Sequence, residues 1–428
     1  MAGIMNIFTG DTTAMAVALT LLLLLVPQIA LTSWFVWAVS RRSRQFASRD
    51  GARSESASIP AEVVLCLRGC DPTLEQVIET LGGQRHGNWR LRIVVDSEDD
   101  PAWPVARSAV ARLAAEGRAS WLASTVEPLA ERPATGSLKC ASLRQALSSL
   151  APETQVVALV DADAVVHDGW LISMVDECMR PGVGAVSGNR WYDPVHDSVP
   201  GTVRAIWNAG AIVQMTAFGI PWGGSLAVRR EAMEACGWTE IIKTSLCEDT
   251  ALAAPLWRSG WTYRFIPALV AIDDDDTVSM RPLTRWIARQ LLTARLHHPL
   301  WPAVAVHGLT TSLALAAAVA ICAVAGVNGH GKTLAIVGGS LAVYEIASLA
   351  LVFAIEKTVR NALQETGRKF RPTGWRRGLS RCLMLPATQW VYAEAVVTAI
   401  LAKTIDWRGV VYEIGRGEDG PQVRITAR

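Results

Sequence analysis

Two carboxylates on alternate positions, Asp161 and Asp163, follow directly on the run Val156-Val157-Ala158-Leu159-Val160. Five apolar residues with no turn-former among them read as a strand buried on both faces. The carboxyl edge of such a strand is where open α/β sheets bind ligands. Hard divalent cations want oxygen ligands, and one held by one or two carboxylates also takes substrate phosphates. Asp161-Ala162-Asp163 therefore suits a metal–diphosphate anchor, with Mg²⁺ or Mn²⁺ as the ion. An isolated Asp-X-Asp suits solvated strand-end acids better; its place after a fully apolar strand is what favours the anchor. A second acid pair, Glu248-Asp249, opens a helix running through Ala254 and Trp257 to Gly260. Helix N-termini welcome acids, so capping explains this pair equally well on local grounds. The Gly-rich turn Pro221-Trp222-Gly223-Gly224-Ser225 feeds a short apolar strand but lacks the Gly-X-X-X-X-Gly-Lys-Ser/Thr pattern, which excludes a P-loop.

These residues need a scaffold, and the pattern from Ala61 onward supplies one. Glu62–Leu67 reads as a strand that breaks at Arg68-Gly69-Cys70-Asp71-Pro72, and Leu74, Val77, Ile78 and Leu81 then recur at helical spacing. Leu91–Val95 reads as a second strand ending at Asp96, with Glu98-Asp99-Asp100-Pro101 beyond it. A helix through 103–116, a strand near Ala119–Ala123, Lys139 with a helix over Ala141–Leu150, and the strand before Asp161 follow. A helix from about Arg230 to Cys236 and a strand over Trp261–Ile266 complete the pattern. Strands alternating with helices predict a mostly parallel sheet with right-handed crossovers. The acid run Asp273–Asp276 reads as a solvated loop.

Half of the 428 residues are hydrophobic and the mean hydropathy is +0.24, with the apolar residues unevenly distributed. A net charge of +2 gives no sign of a nucleic-acid surface. The eight cysteines show no Cys-X-X-Cys pair and no His partners at zinc spacing, and read as reduced thiols. Residues 12–40 carry no charge, are long enough to span a bilayer, and are followed at once by Arg41, Arg42 and Arg44. The positive-inside rule puts the next domain in the cytosol, as part of an integral membrane protein. Val304–Val327 and Thr333–Ile355 read as two further spans joined by a hairpin, with Glu345 expected to pair inside the second. The basic stretch 356–381 reads as a cytosolic loop near anionic lipid. Leu383–Leu401, interrupted by Pro386, Gln389 and Glu394, reads as an interfacial or re-entrant helix. The organisation expected is a membrane anchor over 1–44, a linker over 45–59, a catalytic domain over 60–300, membrane and interfacial helices over 301–403, and a cytosolic tail over 404–428.

The order of segments resembles the membrane-bound inverting glycosyltransferases of family two, and more closely the ceramide glucosyltransferase group with its hopanoid-linked bacterial relatives. The residues carrying the resemblance are Leu67 to Pro72, Asp96 with Asp99-Asp100-Pro101, Leu138-Lys139, Asp161-Ala162-Asp163, Gly224-Ser225 with Val228-Arg229-Arg230, Glu248-Asp249 with Arg258-Ser259-Gly260-Trp261, Arg285-Trp286, and Asp406-Trp407-Arg408-Gly409 with Tyr412. It covers about residues 60 to 413. The resemblance implies an α/β GT-A (nucleotide-diphospho-sugar transferase) domain flanked by transmembrane helices, a nucleotide-sugar donor and a membrane lipid acceptor. It implies that Arg68, Asp96, Lys139, Asp161, Arg285 and Trp286 bind the donor, and that Asp161 and Asp163 hold the metal. It places Gly224 and Ser225 on the acceptor side and makes Asp249, beside Glu248, the base that deprotonates the acceptor hydroxyl. Arg285-Trp286 matches the end of the family's Gln/Arg-X-X-Arg-Trp motif, but Pro282 stands at its first position, with Arg281 one residue early. A processive polysaccharide synthase would share these motifs but normally needs more spans than three or four. A non-catalytic scaffold with a degenerate transferase domain would not need the acids at 96, 161, 163 and 249.

Overall fold

The computed structural model describes residues 11–47, 53–116, 124–275, 277–364, 370, 374–417 and 420–427. Its centre is a seven-stranded sheet in the order β3-β2-β1-β4-β7-β5-β8, built from Ala61–Leu67 (β1), Trp89–Val95 (β2), Thr125–Pro128 (β3), Val156–Val160 (β4), Val183–Ser187 (β5), Ser225–Arg229 (β7) and Thr262–Phe265 (β8). Parallel pairing puts Val63 opposite both Leu91 and Ala158. The one antiparallel strand is β7, with Ser225 opposite Val160 and Leu226 opposite Ser187. This reversal turns the Gly-rich start of β7 to the edge where β4 ends. Two short strands, Arg190–Tyr192 (β6) and Ala271–Asp273 (β9), pair alongside. The strand expected near Ala119–Ala123 lies outside the described residues.

Helices cover both faces. Leu74–Gly82 (α1), Ala102–Ala115 (α2) and Trp170–Cys178 (α3) pack on one side over Val63, Leu65, Ile93 and Ala158. Leu138–Ser148 (α4) and Glu248–Arg258 (α5) pack on the other, over Val64, Val157 and Leu226. Every residue of β4 is buried, as an apolar run covered on both faces requires. Val199–Phe218 (α6), a stretch to which the sequence reading assigns no element, is capped by Ser198 and stopped by the left-handed Gly219.

Four helices are long and apolar enough to cross a membrane: Asp11–Ala47 (α7), Trp301–Val327 (α8), Gly331–Gln364 (α9) and Trp375–Leu401 (α10). The Gln28 side chain of α7 donates to the Tyr344 hydroxyl of α9 at 2.9 Å. Among the described residues no ion pair reaches Glu345, contrary to the pairing expected of it. Pro386 does not break α10, so a re-entrant turn is not formed. Instead α10 lies against α6 and against the amphipathic helix Met280–His297 (α11), whose Arg295 donates to the carbonyls of Ile400 and Ala402 at its far end. At its near end a buried ion network joins it to the sheet domain. Arg377 meets Asp193 at 2.6 Å, Arg360 of α9 meets both Asp193 and Glu356 at 2.9 Å, and Arg381 closes on Glu356.

The expected tail over 404–428 is a folded element. Thr404–Trp407 (β10), Val410–Gly417 (β11) and Gly420–Ala427 (β12) form an antiparallel sheet that buries Val410, Tyr412 and Val423 in the same apolar layer as α4. Backbone bonds stitch β12 to the catalytic domain: Gly136 N–H donates to Val423 C=O at 2.8 Å, Val423 N–H to Thr244 C=O at 3.0 Å, and Ile425 N–H to Ala134 C=O at 3.2 Å.

Candidate active site

Four groups of charged side chains gather at the carboxyl edge of β1, β2 and β4. The first surrounds Asp96. Its N–H bonds Leu67 C=O across the strand ends, and its buried carboxylate takes both Arg68 and Arg132, the latter at 2.7 Å. The second is an acid–base–acid bridge. Lys139, at the start of α4, lies 2.8 Å from Asp161 and 2.7 Å from Glu248. Burial opposes the Lys139 ammonium, but Asp161 and Glu248 outweigh it and hold its pKa well above the lysine range. Burial likewise opposes ionisation of Asp161, yet Lys139 and Arg190 keep its pKa below the usual carboxylate value. Glu248, fully buried, goes the other way: burial raises it and nearby Asp249 adds to the effect.

The third group is one that the sequence reading missed. Arg190 of β6 grips Asp163 with both arms of its fork, one at 2.7 Å, and reaches Asp273 at 3.2 Å and Asp161 at 3.9 Å. Its guanidinium lies 5.0 Å from the Trp222 ring centroid. Asp273, read from sequence as part of a solvated run, is thus a half-enclosed member of the site; Asp276 lies outside the described residues. No local pattern marks Arg190, because β6 is only three residues long and its partner β9 is eighty residues away.

The fourth group is Asp249. One carboxylate oxygen accepts the Gly223 N–H at 2.7 Å, and the other accepts from the Thr250 backbone and hydroxyl and from the Cys247 thiol. Cys247 occupies the N-cap of α5 without a capping side-chain bond, so the acid pair is tied to the Gly-rich turn and to Lys139 rather than serving as a simple cap. Gly223 and Gly224 are needed for this closeness. A Cβ on Gly223 would strike the Glu248 carboxylate, and one on Gly224 would strike the Trp222 ring and the Asp161 carboxylate. Ser225 departs from the acceptor-side expectation. It is fully buried, its hydroxyl donating to Leu269 C=O and accepting the Trp170 indole N–H, both at 2.9 Å, so it holds the turn in place.

Two edges complete the enclosure. The β10–β11 turn, with Arg408 at φ 51° and Gly409 at φ 75°, carries Arg408 onto the Arg68 carbonyl at 2.6 Å and toward Asp71 at 3.3 Å. On α11, Trp286 packs edge-on against Tyr192 and Trp207, whereas Arg285 is exposed. It is Arg289, one turn further, that faces inward and lies 4.9 Å from the Trp407 ring. The structure therefore does not bring Arg285 to the anchor, and it brings Arg289 instead. The break of the motif at Pro282 was the one sequence signal that this helix is read differently here.

Asp161 and Asp163 present only oxygen ligands, at the end of a rigid strand, and the Asp163 side chain is a third exposed. Among the described residues no group of three or more His, Cys, Asp or Glu could hold a metal. A hard cation that keeps waters and takes phosphate oxygens fits such a two-carboxylate donor set, and a closed all-protein site does not.

A mixed α/β sheet with a charged crevice at its switch point, carrying apolar helices before and after it, matches the α/β arrangement that the family resemblance implies. The chain belongs to glycosyl transferase family 21, whose model matches residues 19–419, and is a glycosyltransferase. No curated protein matches the sequence. Among solved structures it is similar to a mannosyltransferase from Pyrobaculum calidifontis in complex with GDP-Man and Mn²⁺, at 19% identity over 80% of this chain and 99% of that one, with a TM-score of 0.49. It is also similar to glucosyl-3-phosphoglycerate synthase from Mycobacterium tuberculosis in complex with Mn²⁺ and UDP-glucose, at 16% identity over 56% of this chain and 81% of that one, with a TM-score of 0.35.

Proposed function

We propose that the enzyme moves a single sugar from a nucleotide-diphospho-sugar, UDP-linked by family resemblance, to the hydroxyl of a membrane lipid such as ceramide or a hopanoid, with inversion at the sugar carbon. The observation that carries this reading is the convergence of the Asp96, Asp161, Asp163 and Asp249 groups on one sheet edge, beside helices able to enter a bilayer. Asp96 with Arg68 and Arg132 would hold the nucleoside end. Lys139 and Arg190, with Asp161 and Asp163 between them, would hold the diphosphate. A divalent ion on Asp163 and Asp161 would neutralise charge building on the leaving diphosphate. For the ion to bind, Arg190 must loosen its fork from Asp163, and in doing so it is freed to face the phosphates. Asp249, pinned by Gly223 and Thr250, would receive the acceptor proton. In-line displacement with inversion is what the family resemblance implies. By the arginines that follow α7 in sequence, this chemistry faces the cytosol.

Product analysis with purified full-length enzyme tests the reading: one sugar on a lipid supports it, whereas a polymer or no product rejects it. Chelation should abolish transfer and Mg²⁺ or Mn²⁺ should restore it. Retention of full activity in excess chelator, or by Asp163→Ala, would remove the metal from the scheme.

A further inference from the structure

Away from the active site, a shallow recess that opens to solvent lies where α7 meets the sheet domain. Its lining comes from three separate elements: Arg42 and Gln45 from α7, Glu177 and Arg180 from the end of α3, and Arg264, Ile266 and Pro267 from the end of β8. Three guanidinium groups thus face one carboxylate. Arg180 and Arg264 share a single oxygen of Glu177, at 3.0 and 3.5 Å, and Arg42 donates to the Phe265 carbonyl at 3.3 Å. One acid cannot balance three such cations, and the lining keeps a surplus of two positive charges. Guanidinium forks match phosphate oxygens in geometry as well as in charge.

Position narrows the anion further. Arg42 comes two residues after the uncharged run of α7 ends, which is headgroup depth for a spanning helix. Trp34 and Trp37 are exposed on the turns just before it, and Arg41 stacks over Trp37 at 5.5 Å, the belt expected at a membrane–water boundary. We propose that this recess is a binding site for the phosphate of an anionic phospholipid, gripped jointly by Arg42, Arg180 and Arg264. A lipid bound there would clamp the anchor helix to β8, the strand that leads through β9 to Asp273 and Arg190.

The test uses the full-length protein in detergent and in nanodiscs. Native mass spectrometry should show phosphatidylglycerol retained in preference to phosphatidylcholine, and phosphatidylglycerol nanodiscs should raise the melting temperature. R180Q/R264Q should weaken retention by about tenfold, as loss of charge-assisted hydrogen bonds predicts. Should that pair fail to fold, R180K/R264K keeps both charges but loses the forks, and should still bind more weakly than wild type. Equal retention of the two lipids by wild type, or undiminished retention by the variants, would overturn the proposal. An equal melting shift from inorganic phosphate alone would overturn the lipid as the source of the anion.

Discussion

At the scale of single residues, the two acids that open α5 divide their work. Glu248 is sealed beneath the Gly-rich turn and bonded to Lys139, whereas Asp249 is fixed by hydrogen bonds that leave it at the crevice wall. Asp249→Asn keeps the shape and removes the proton acceptor, so transfer should fall by roughly a hundred- to ten-thousand-fold while nucleotide binding persists. Near wild-type transfer by Asp249→Asn, together with a dead Glu248→Gln, would exchange their roles. Lys139 carries a different burden. Lys139→Met leaves the buried Glu248 carboxylate without its cation and facing the partly exposed Asp161, and breaking a buried pair in this way costs about 3–5 kcal/mol. Because Glu248 already has a raised pKa, the favourable protonated form is available at low pH and is lost as pH rises through that value. The variant should therefore melt lower at pH 8 than at pH 5 by a margin that wild type lacks, and adding Glu248→Gln should recover much of the loss. The acids were legible in sequence because apolar strands deliver them at abrupt boundaries. Arg190, Arg132 and Arg289 were not, since each is placed by packing between elements far apart in the chain.

At the scale of elements, the sheet strands β1, β2 and β4 fall within a residue or two of where periodicity puts them, because buried parallel strands are rich in apolar runs. The C-terminal sheet has no such run. Its strands alternate with charged residues, and among the described residues only Val410, Tyr412 and Val423 are buried, so it reads as a tail until its partners are known. Those partners meet at Gly136, which sits at φ 80° with the Lys243 carbonyl where a Cβ would be. Gly136→Val should strain the backbone by about 1–3 kcal/mol and open the seam to β12. Hydrogen exchange over 404–427 should rise, and nucleotide affinity should fall because Arg408 no longer braces the Arg68 loop. Unchanged exchange there would show that the hairpin is held by its apolar face alone.

At the scale of the whole molecule, the catalytic domain is fastened to its membrane helices at several places rather than hung from one linker. Asp193, Glu356, Arg360, Arg377 and Arg381 form one buried set of opposite charges in which each acid meets more than one cation. Removing one partner strands the others in a dry setting, which gives such sets their geometric specificity. Sequence marked these arginines as a basic loop near lipid; Arg376 is exposed, whereas Arg360, Arg377 and Arg381 are buried in helices and held in ion pairs. Burial, which decides between the two, depends on Asp193 from a different part of the chain.

The stitching of β12 to Ala134, Gly136 and Thr244 has a topological corollary, for it obliges the last residues and the catalytic domain to share one side of the bilayer. Were α8 and α9 to cross as a pair, a third crossing by α10 would strand the hairpin across the membrane from the strands it touches. Parity would then keep α10 from spanning, despite a length and composition that would allow it. On that reading the helix would lie along the boundary beside α11, with its exposed Trp375, Leu383 and Trp390 available to lipid. A reactive tag placed after residue 428 should be labelled only when the cytosolic face is opened. Labelling from outside intact cells would break the parity and, with it, the docking of the hairpin.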